Sequence, residues 1–257
     1  MIDIDFTGKN VLVTGAGGGI GNGLARRYGK AGAKVYLADR DAKALEAPAA
    51  ELKAMGCEVS VCALDITDEA AVRKVVDDIV ATDGKIDMLC NCAGVIIPSL
   101  YMDAKSADFE KTLAVNLVGM HKCIQAVLLH MIPAGSGKIV NIASASSRKG
   151  VSDLAFYSAS KFGVISLTQS VALSVAASNI NVNAICPGFV ESSIMATGPG
   201  FYNVTKEQYL ASVTAKVPLG HIQTADDIGN AAAFLCSDMA VNITGQALNV
   251  DGGLHMN

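Results

Sequence analysis

The chain has 257 residues, 51% of them hydrophobic and 17% charged, with no Trp and a formal net charge of −4. That length and apolar content suit one core-rich α/β domain spanning 1–257. The mild acidity, with 20 Lys and Arg scattered and never in a run, excludes a phosphate-binding stripe for nucleic acid and a basic block for a membrane surface.

The opening MIDIDFTGKN lacks a basic segment followed by an apolar one, so no signal peptide is expected. No uncharged apolar stretch reaches the ~18 residues that a spanning helix needs. The run NVLVTG (10–15) predicts a strand that opens into six glycines within nine positions. An amphipathic helix follows through Leu24, Ala25 and Tyr28. In the spacing Thr14-Gly15-x-x-x-Gly19-Ile20-Gly21, bare backbone turns tightly and lets a pyrophosphate approach the positive end of the helix. KVYLAD (34–39) is the next strand, and Asp39 ends it eighteen residues beyond Gly21. A carboxylate there bonds both hydroxyls of an adenosine ribose and repels a 2′-phosphate, which predicts NAD rather than NADP; the adjacent Arg40 is the one opposing signal.

EVSVCALD (58–65) predicts the third strand. A helix follows over TDEAAVRKVVDDIVA, with Thr67 as N-cap and Ala71, Val72, Val75, Val76 and Ile79 as its apolar stripe. IDMLCNCAG (86–94) is the fourth strand, and Asn116 lies in a helical segment among apolar neighbours. KIVNIAS (138–144) is the fifth strand and ends at Ser144, where the C-terminal ends of parallel strands face a ligand crevice. The segment 152–178 reads as a helix carrying Tyr157 and Lys161 on one face. INVNAICPG (180–188) and QALNVDGG (246–253) complete seven strands. Between them, 191–215 is long, polar, punctuated by Gly and Pro and only partly helical, as a substrate lid is. Strands alternating with helices predict a doubly wound, seven-stranded parallel sheet with helices on both faces.

Seven cysteines in mostly apolar runs read as buried free thiols in a reducing, cytoplasmic compartment. Cys90 and Cys92 suit one face of a strand; no second Cys/His pair completes a metal site, and none is expected. The Tyr157–Lys161 spacing carries chemistry. A unit charge ~4 Å from a phenol, at an effective dielectric near ~20, is worth ~4 kcal/mol or about three pKa units. That predicts a phenol exchanging protons near neutral pH, as acid/base work on an alcohol or ketone requires.

These residues together resemble the short-chain dehydrogenase/reductase family over essentially the whole chain. The match rests on Thr14, Gly15, Gly19 and Gly21; Asp39; Asp65; NCAG from Asn91; Asn116; Ser144; Tyr157 and Lys161; Pro187 and Gly188; and NVDGG ending at Gly253. The resemblance implies that Tyr157 donates or accepts the proton, Ser144 polarises the reacting oxygen, Lys161 holds the nicotinamide ribose and lowers the Tyr157 pKa, and Asn116 supports a relay water. It further implies cofactor contacts at Ile20, Asp65, Ile66, Asn91, Ala93, Gly94, Pro187, Gly188 and Val190. One departure is Cys92, where the family usually has Asn; a thiol fills that volume without the amide's hydrogen bonds.

Substrate-facing positions are expected at Val95, Ile96, Ser146, Gly150, Phe189 and the loop from Glu191, a mixture of small and polar residues with modest apolar bulk and no aromatic cluster suited to a steroid. Such chains resemble sorbitol, galactitol and butanediol/acetoin dehydrogenases, which points to a small polyol, diol or hydroxyketone. A second reading is an NADP-dependent 3-oxoacyl carrier-protein reductase, for which Arg148 and Lys149 offer a basic patch and against which Asp39 stands. A third is a catalytically idle nucleotide-sensing scaffold, against which the retained Tyr157 and Lys161 argue. The small-residue helix SLTQSVALSVAAS (166–178) suits close helix packing, and the family's use of such helices implies a homotetramer.

Overall fold

Each predicted apolar run forms a strand: β1 (Asn10–Thr14), β2 (Lys34–Asp39), β3 (Val59–Ala63), β4 (Met88–Asn91), β5 (Gly137–Ile142), β6 (Ile180–Pro187) and β7 (Ala247–Val250). The structure, a computed structural model, describes residues 4–191 and 197–256. The strands pair in parallel in the order β3-β2-β1-β4-β5-β6-β7. Long crossovers are required by parallel pairing, and helices supply them. They are α1 (Gly19–Lys30), α2 (Glu46–Ala54), α3 (Glu69–Asp83), α4 (Ser106–Leu113), α5 (Met120–Ala134), α6 (Ala155–Val175), α7 (Thr197–Tyr202), α8 (Lys206–Thr214) and α9 (Ala225–Cys236).

Both faces of the sheet are buried, so the strands read as apolar runs rather than as alternating ones. Val11 and Val13 pack with Leu24, Tyr28, Leu52 and Ile228 on one face. Leu12, between them, packs on the other face with Val76, Ile124, Val127 and Val164. The helical run Ser106–Ala134 is long and apolar enough by composition to cross a membrane. Its residues Met120, Cys123, Ile124, Val127 and Met131 lie in that second cluster, against the sheet.

Several boundaries differ from the sequence reading. Asp68, not Thr67, caps α3: its carboxylate accepts from Ala71 N at 3.1 Å. Thr67 instead donates to Asp65 through its backbone N–H (2.8 Å) and hydroxyl (2.7 Å), a turn that wins over the cap because Asp65 is two residues upstream. The α3 stripe is buried at Val72, Val76 and Ile79. Asn116 sits in a π-helical stretch, Ala114–Gly119, that joins α4 to α5. The 152–178 helix begins at Ala155 and ends in a 3₁₀ turn, Ala176–Ser178. The 191–215 segment is more helical than expected, because Thr205 and Gln208 form a reciprocal capping box that starts α8. Its 192–196 part lies outside the described residues.

All seven cysteines are free. Cys90 donates to the Tyr28 hydroxyl (3.0 Å), which donates to Cys236 (3.2 Å) inside the core. Among the described residues, no group of three or more His, Cys, Asp or Glu is arranged to hold a metal.

Candidate active site

Strand order reverses between β1 and β4, and there the strand ends open into a cavity of about 680 Å³. Its walls include Gly15, Gly19, Ile20 and Gly21 from the β1–α1 turn, Asp39 and Arg40 after β2, and Asp65 and Ile66 after β3. Ala93, Gly94 and Ile96 follow β4, Ser144 and Ser146 follow β5, Tyr157 and Lys161 come from α6, and Pro187, Gly188, Phe189 and Val190 close the far side.

The glycine turn is held by backbone contact. Gly15 has φ +67°, and a Cβ there would lie 2.6 Å from Ala93 Cα; a Cβ on Gly21 would lie 2.1 Å from Gly15 O. Thr14 Oγ1 accepts from Cys92 N (3.2 Å) and Ala93 N (3.3 Å), joining the β1 exit to the β4 exit. Gly18 caps α1 without a side chain, so no side-chain oxygen covers the first-turn N–H groups. This bare, positive helix end beside a cradle without Cβ atoms fits a dinucleotide pyrophosphate. Asp39 Oδ2 accepts from Gly17 N (3.2 Å) and Oδ1 from Asp41 N (3.1 Å), fixing the carboxylate beside the glycines. The Thr67 hydrogen bonds hold the Asp65 carboxyl below its usual range, and the charges of Arg40 and Lys122 add to the effect.

At the other end, Ser144 Oγ accepts from Ser146 N (3.1 Å), while Ser144 N donates to Ser147 Oγ (3.1 Å), so a 3₁₀ turn fixes the serine after β5. Lys161, 5% exposed, lies with Nζ 5.7 Å from the Tyr157 ring centroid and donates to Ile142 O at 2.7 Å. Burial pushes Tyr157 up to about 12, against the Ser144 hydrogen bond, which lowers it. Burial brings Lys161 down to about 8. The expectation of a phenol drawn toward neutrality by one ammonium is therefore corrected: both charged forms lose solvation in the same pocket, and that cost exceeds the attraction counted from sequence.

Three expected residues lie behind the wall. Asn116 Nδ2 donates to Val95 O (2.9 Å) and Ser160 Oγ (3.1 Å), and its Oδ1 accepts from Val95 N (2.8 Å). It pins the β4 exit to α6, with both amide N–H groups engaged. Thr14 and Asn91 are buried in the sheet; Asn91 Nδ2 donates to Asn141 Oδ1 at 2.9 Å. Gly150 borders a second cavity of about 700 Å³, which shares Ser146 and Phe189 with the first.

The cavity carries an aromatic cluster that the sequence reading did not expect there. α7 and α8 bring Phe201, Tyr202 and Tyr209 to the cavity, with Tyr202 and Tyr209 stacked at 5.9 Å and Phe201 edge-on to Tyr202 at 5.1 Å. Asp153, Pro98 and Lys111 also line it. Asp153 is 7% exposed and receives a hydrogen bond from the Tyr202 hydroxyl. The signal available in sequence was a carboxylate four residues before Tyr157. Of the basic patch expected at Arg148 and Lys149, the Arg148 guanidinium donates to Asn249 Oδ1 (2.9 Å) and to Ala247 O of β7, while Lys149 is exposed.

The family model described as enoyl-(acyl carrier protein) reductase matches residues 15–255. Among curated relatives, 3-oxoacyl-(acyl-carrier-protein) reductase of Chlamydia pneumoniae is 34% identical over 253 residues, 98% of this chain and 99% of the relative. Sorbitol dehydrogenase of Cereibacter sphaeroides is 36% identical over 251 residues, 96% of this chain and 97% of the relative. Among solved structures, NAD⁺-bound xylitol dehydrogenase superposes with a TM-score of 0.92 at 35% identity, covering 96% of this chain and 99% of that one. An actinorhodin polyketide ketoreductase variant with NADPH gives 0.91 at 35% identity, covering 96% and 97%.

Proposed function

This chain belongs to the short-chain dehydrogenase/reductase family of nicotinamide-dependent oxidoreductases, and within it we propose reversible, NAD-linked oxidation of a small polyol, diol or hydroxyketone alcohol. The observation that carries this reading is Asp39, whose carboxylate is fixed by two backbone N–H groups at the edge of the cavity, where it accepts ribose hydroxyls and repels a 2′-phosphate. Sorbitol and xylitol dehydrogenases among the similar proteins support the substrate class.

In this reading the Gly15–Gly21 turn and the α1 N-terminus hold the pyrophosphate, Asp39 the adenosine ribose, Asp65 and Ile66 the adenine side, and Pro187, Gly188 and Val190 the nicotinamide side. The bound nicotinamide supplies or takes the hydride. Ser144 donates to the substrate oxygen, and Tyr157 gives or takes its proton. Lys161 holds a cofactor hydroxyl and steadies the phenolate as it forms. Asn116 keeps the Val95 backbone and α6 in register and supports the proton relay. α7 and α8 act as the lid. The apolar outer faces of α5 and α6, with Leu129 50%, Phe162 45% and Leu173 83% exposed, support a homotetramer, and a monomer mass in light scattering would refute it.

A second reading, reduction of a 3-oxoacyl thioester, is favoured by the Chlamydia relative. Asp39, fixed beside the glycines, weakens it by disfavouring the NADP that this reading requires. Steady-state rates over hexitols, short diols, acetoin and an acetoacetyl thioester separate the two. Oxidation of a polyol or diol is expected; turnover of the thioester alone would replace the first reading with the second.

A further inference from the structure

Asp153 stands just ahead of α6, yet it does not cap that helix: Leu154 occupies the cap position with no side-chain bond. A carboxylate at a helix start ordinarily turns to the free N–H groups. This one turns away, into the cavity shared with Ser144 and Tyr157, and at 7% exposure is met by the Tyr202 hydroxyl. Burying a carboxylate is costly unless donors satisfy it, and a single phenol leaves most of its acceptor capacity open to the cavity. The phenol comes from α7, while the ring itself is on a residue 50% exposed and stacked on Tyr209. The donor is thus held from the solvent side of the substrate space, where it can be exchanged for another.

Resting on the polyol reading above, we infer that Asp153 is a specificity-determining residue: it accepts a hydrogen bond from a substrate hydroxyl remote from the reacting carbon, in exchange for the Tyr202 phenol. A neutral hydroxyl replaces a neutral phenol like for like. An ammonium group is disfavoured by Lys111, which lines the same cavity. An anionic tail is repelled by the carboxylate, and a purely alkyl tail gives it no donor.

The test compares xylitol, butan-2-ol and 1-aminopropan-2-ol as substrates, with NAD, for the wild type, Asp153→Asn and Tyr202→Phe. Asp153→Asn is expected to lower the xylitol to butan-2-ol ratio of kcat/KM at least about tenfold, through KM rather than kcat, as loss of a charge-assisted hydrogen bond predicts. Tyr202→Phe removes the competing donor and leaves the carboxylate, so the same ratio holds or rises. A fall smaller than tenfold in Asp153→Asn overturns the inference, as does an equal loss for both alcohols in both variants, which is what a mere structural tether gives. Preference of the wild type for the amino alcohol, lost in Asp153→Asn, overturns the hydroxyl assignment. Failure of the wild type to oxidise any polyol overturns the proposed function and this inference together, a result distinct from polyol turnover indifferent to Asp153.

Discussion

The glycine turn after β1 and the aromatic wall of α7 and α8 border one cavity, but different forces hold them. Gly15 and Gly21 are locked by backbone atoms at distances no Cβ tolerates. Tyr202 and Tyr209 are held by ring stacking and one phenol–carboxylate bond, on helices of six and nine residues. Backbone contacts admit one residue type and side-chain contacts admit many. The first region therefore suits a dinucleotide common to a large family, and in the proposed function the second tunes the substrate.

The most severe way to break this contrast is Gly21→Val. With a Cβ 2.1 Å from Gly15 O, the turn must open, and NADH affinity in a fluorescence titration is expected to fall by about 100-fold or more. An affinity within a few-fold of wild type would show that the turn is soft. Tyr157→Phe leaves both regions intact and removes only the proton carrier, so turnover falls by roughly 10²–10⁴ while NADH affinity holds.

Lys161 sharpens the comparison through pH. Burial holds its folded pKa at about 8, below the ordinary 10.5. Between those values the unfolded chain carries a proton that the folded chain lacks, so this group makes stability rise with pH over that window, by about 3 kcal/mol at full extent. Thermal unfolding of wild type against Lys161→Met from pH 7.5 to 10.5 reads that slope as a difference; parallel curves would show that Lys161 is not desolvated. Asp39→Asn has the smallest effect: the NADP to NAD ratio of kcat/KM rises about tenfold as the repulsion of a 2′-phosphate is removed.

Legibility in the sequence follows the same division. The seven strands, the glycine turn and the gathering of Asp39, Ser144, Tyr157 and Lys161 around one cavity were readable because period, spacing and backbone freedom are local properties. The α3 cap was not readable because Thr67 and Asp68 are adjacent and both suit an N-cap, and sequence order does not say that Asp65 engages the Thr67 hydroxyl and leaves the cap to Asp68. Tyr202 and Asp153 were not readable as partners because 49 residues separate them and only the packing of α7 over the β5–α6 loop brings them together. The Tyr157 pKa was misjudged because an ion-pair estimate counts attraction between neighbours, whereas burial is a property of the whole fold.

The most direct test of the central claim is the initial rate of cofactor reduction, followed by nicotinamide absorbance, with xylitol or butane-2,3-diol and saturating NAD or NADP in parallel. The account predicts oxidation with NAD at a kcat/KM at least about tenfold above that with NADP. NADPH-linked reduction of an acetoacetyl thioester, with no polyol or diol oxidised, would contradict it.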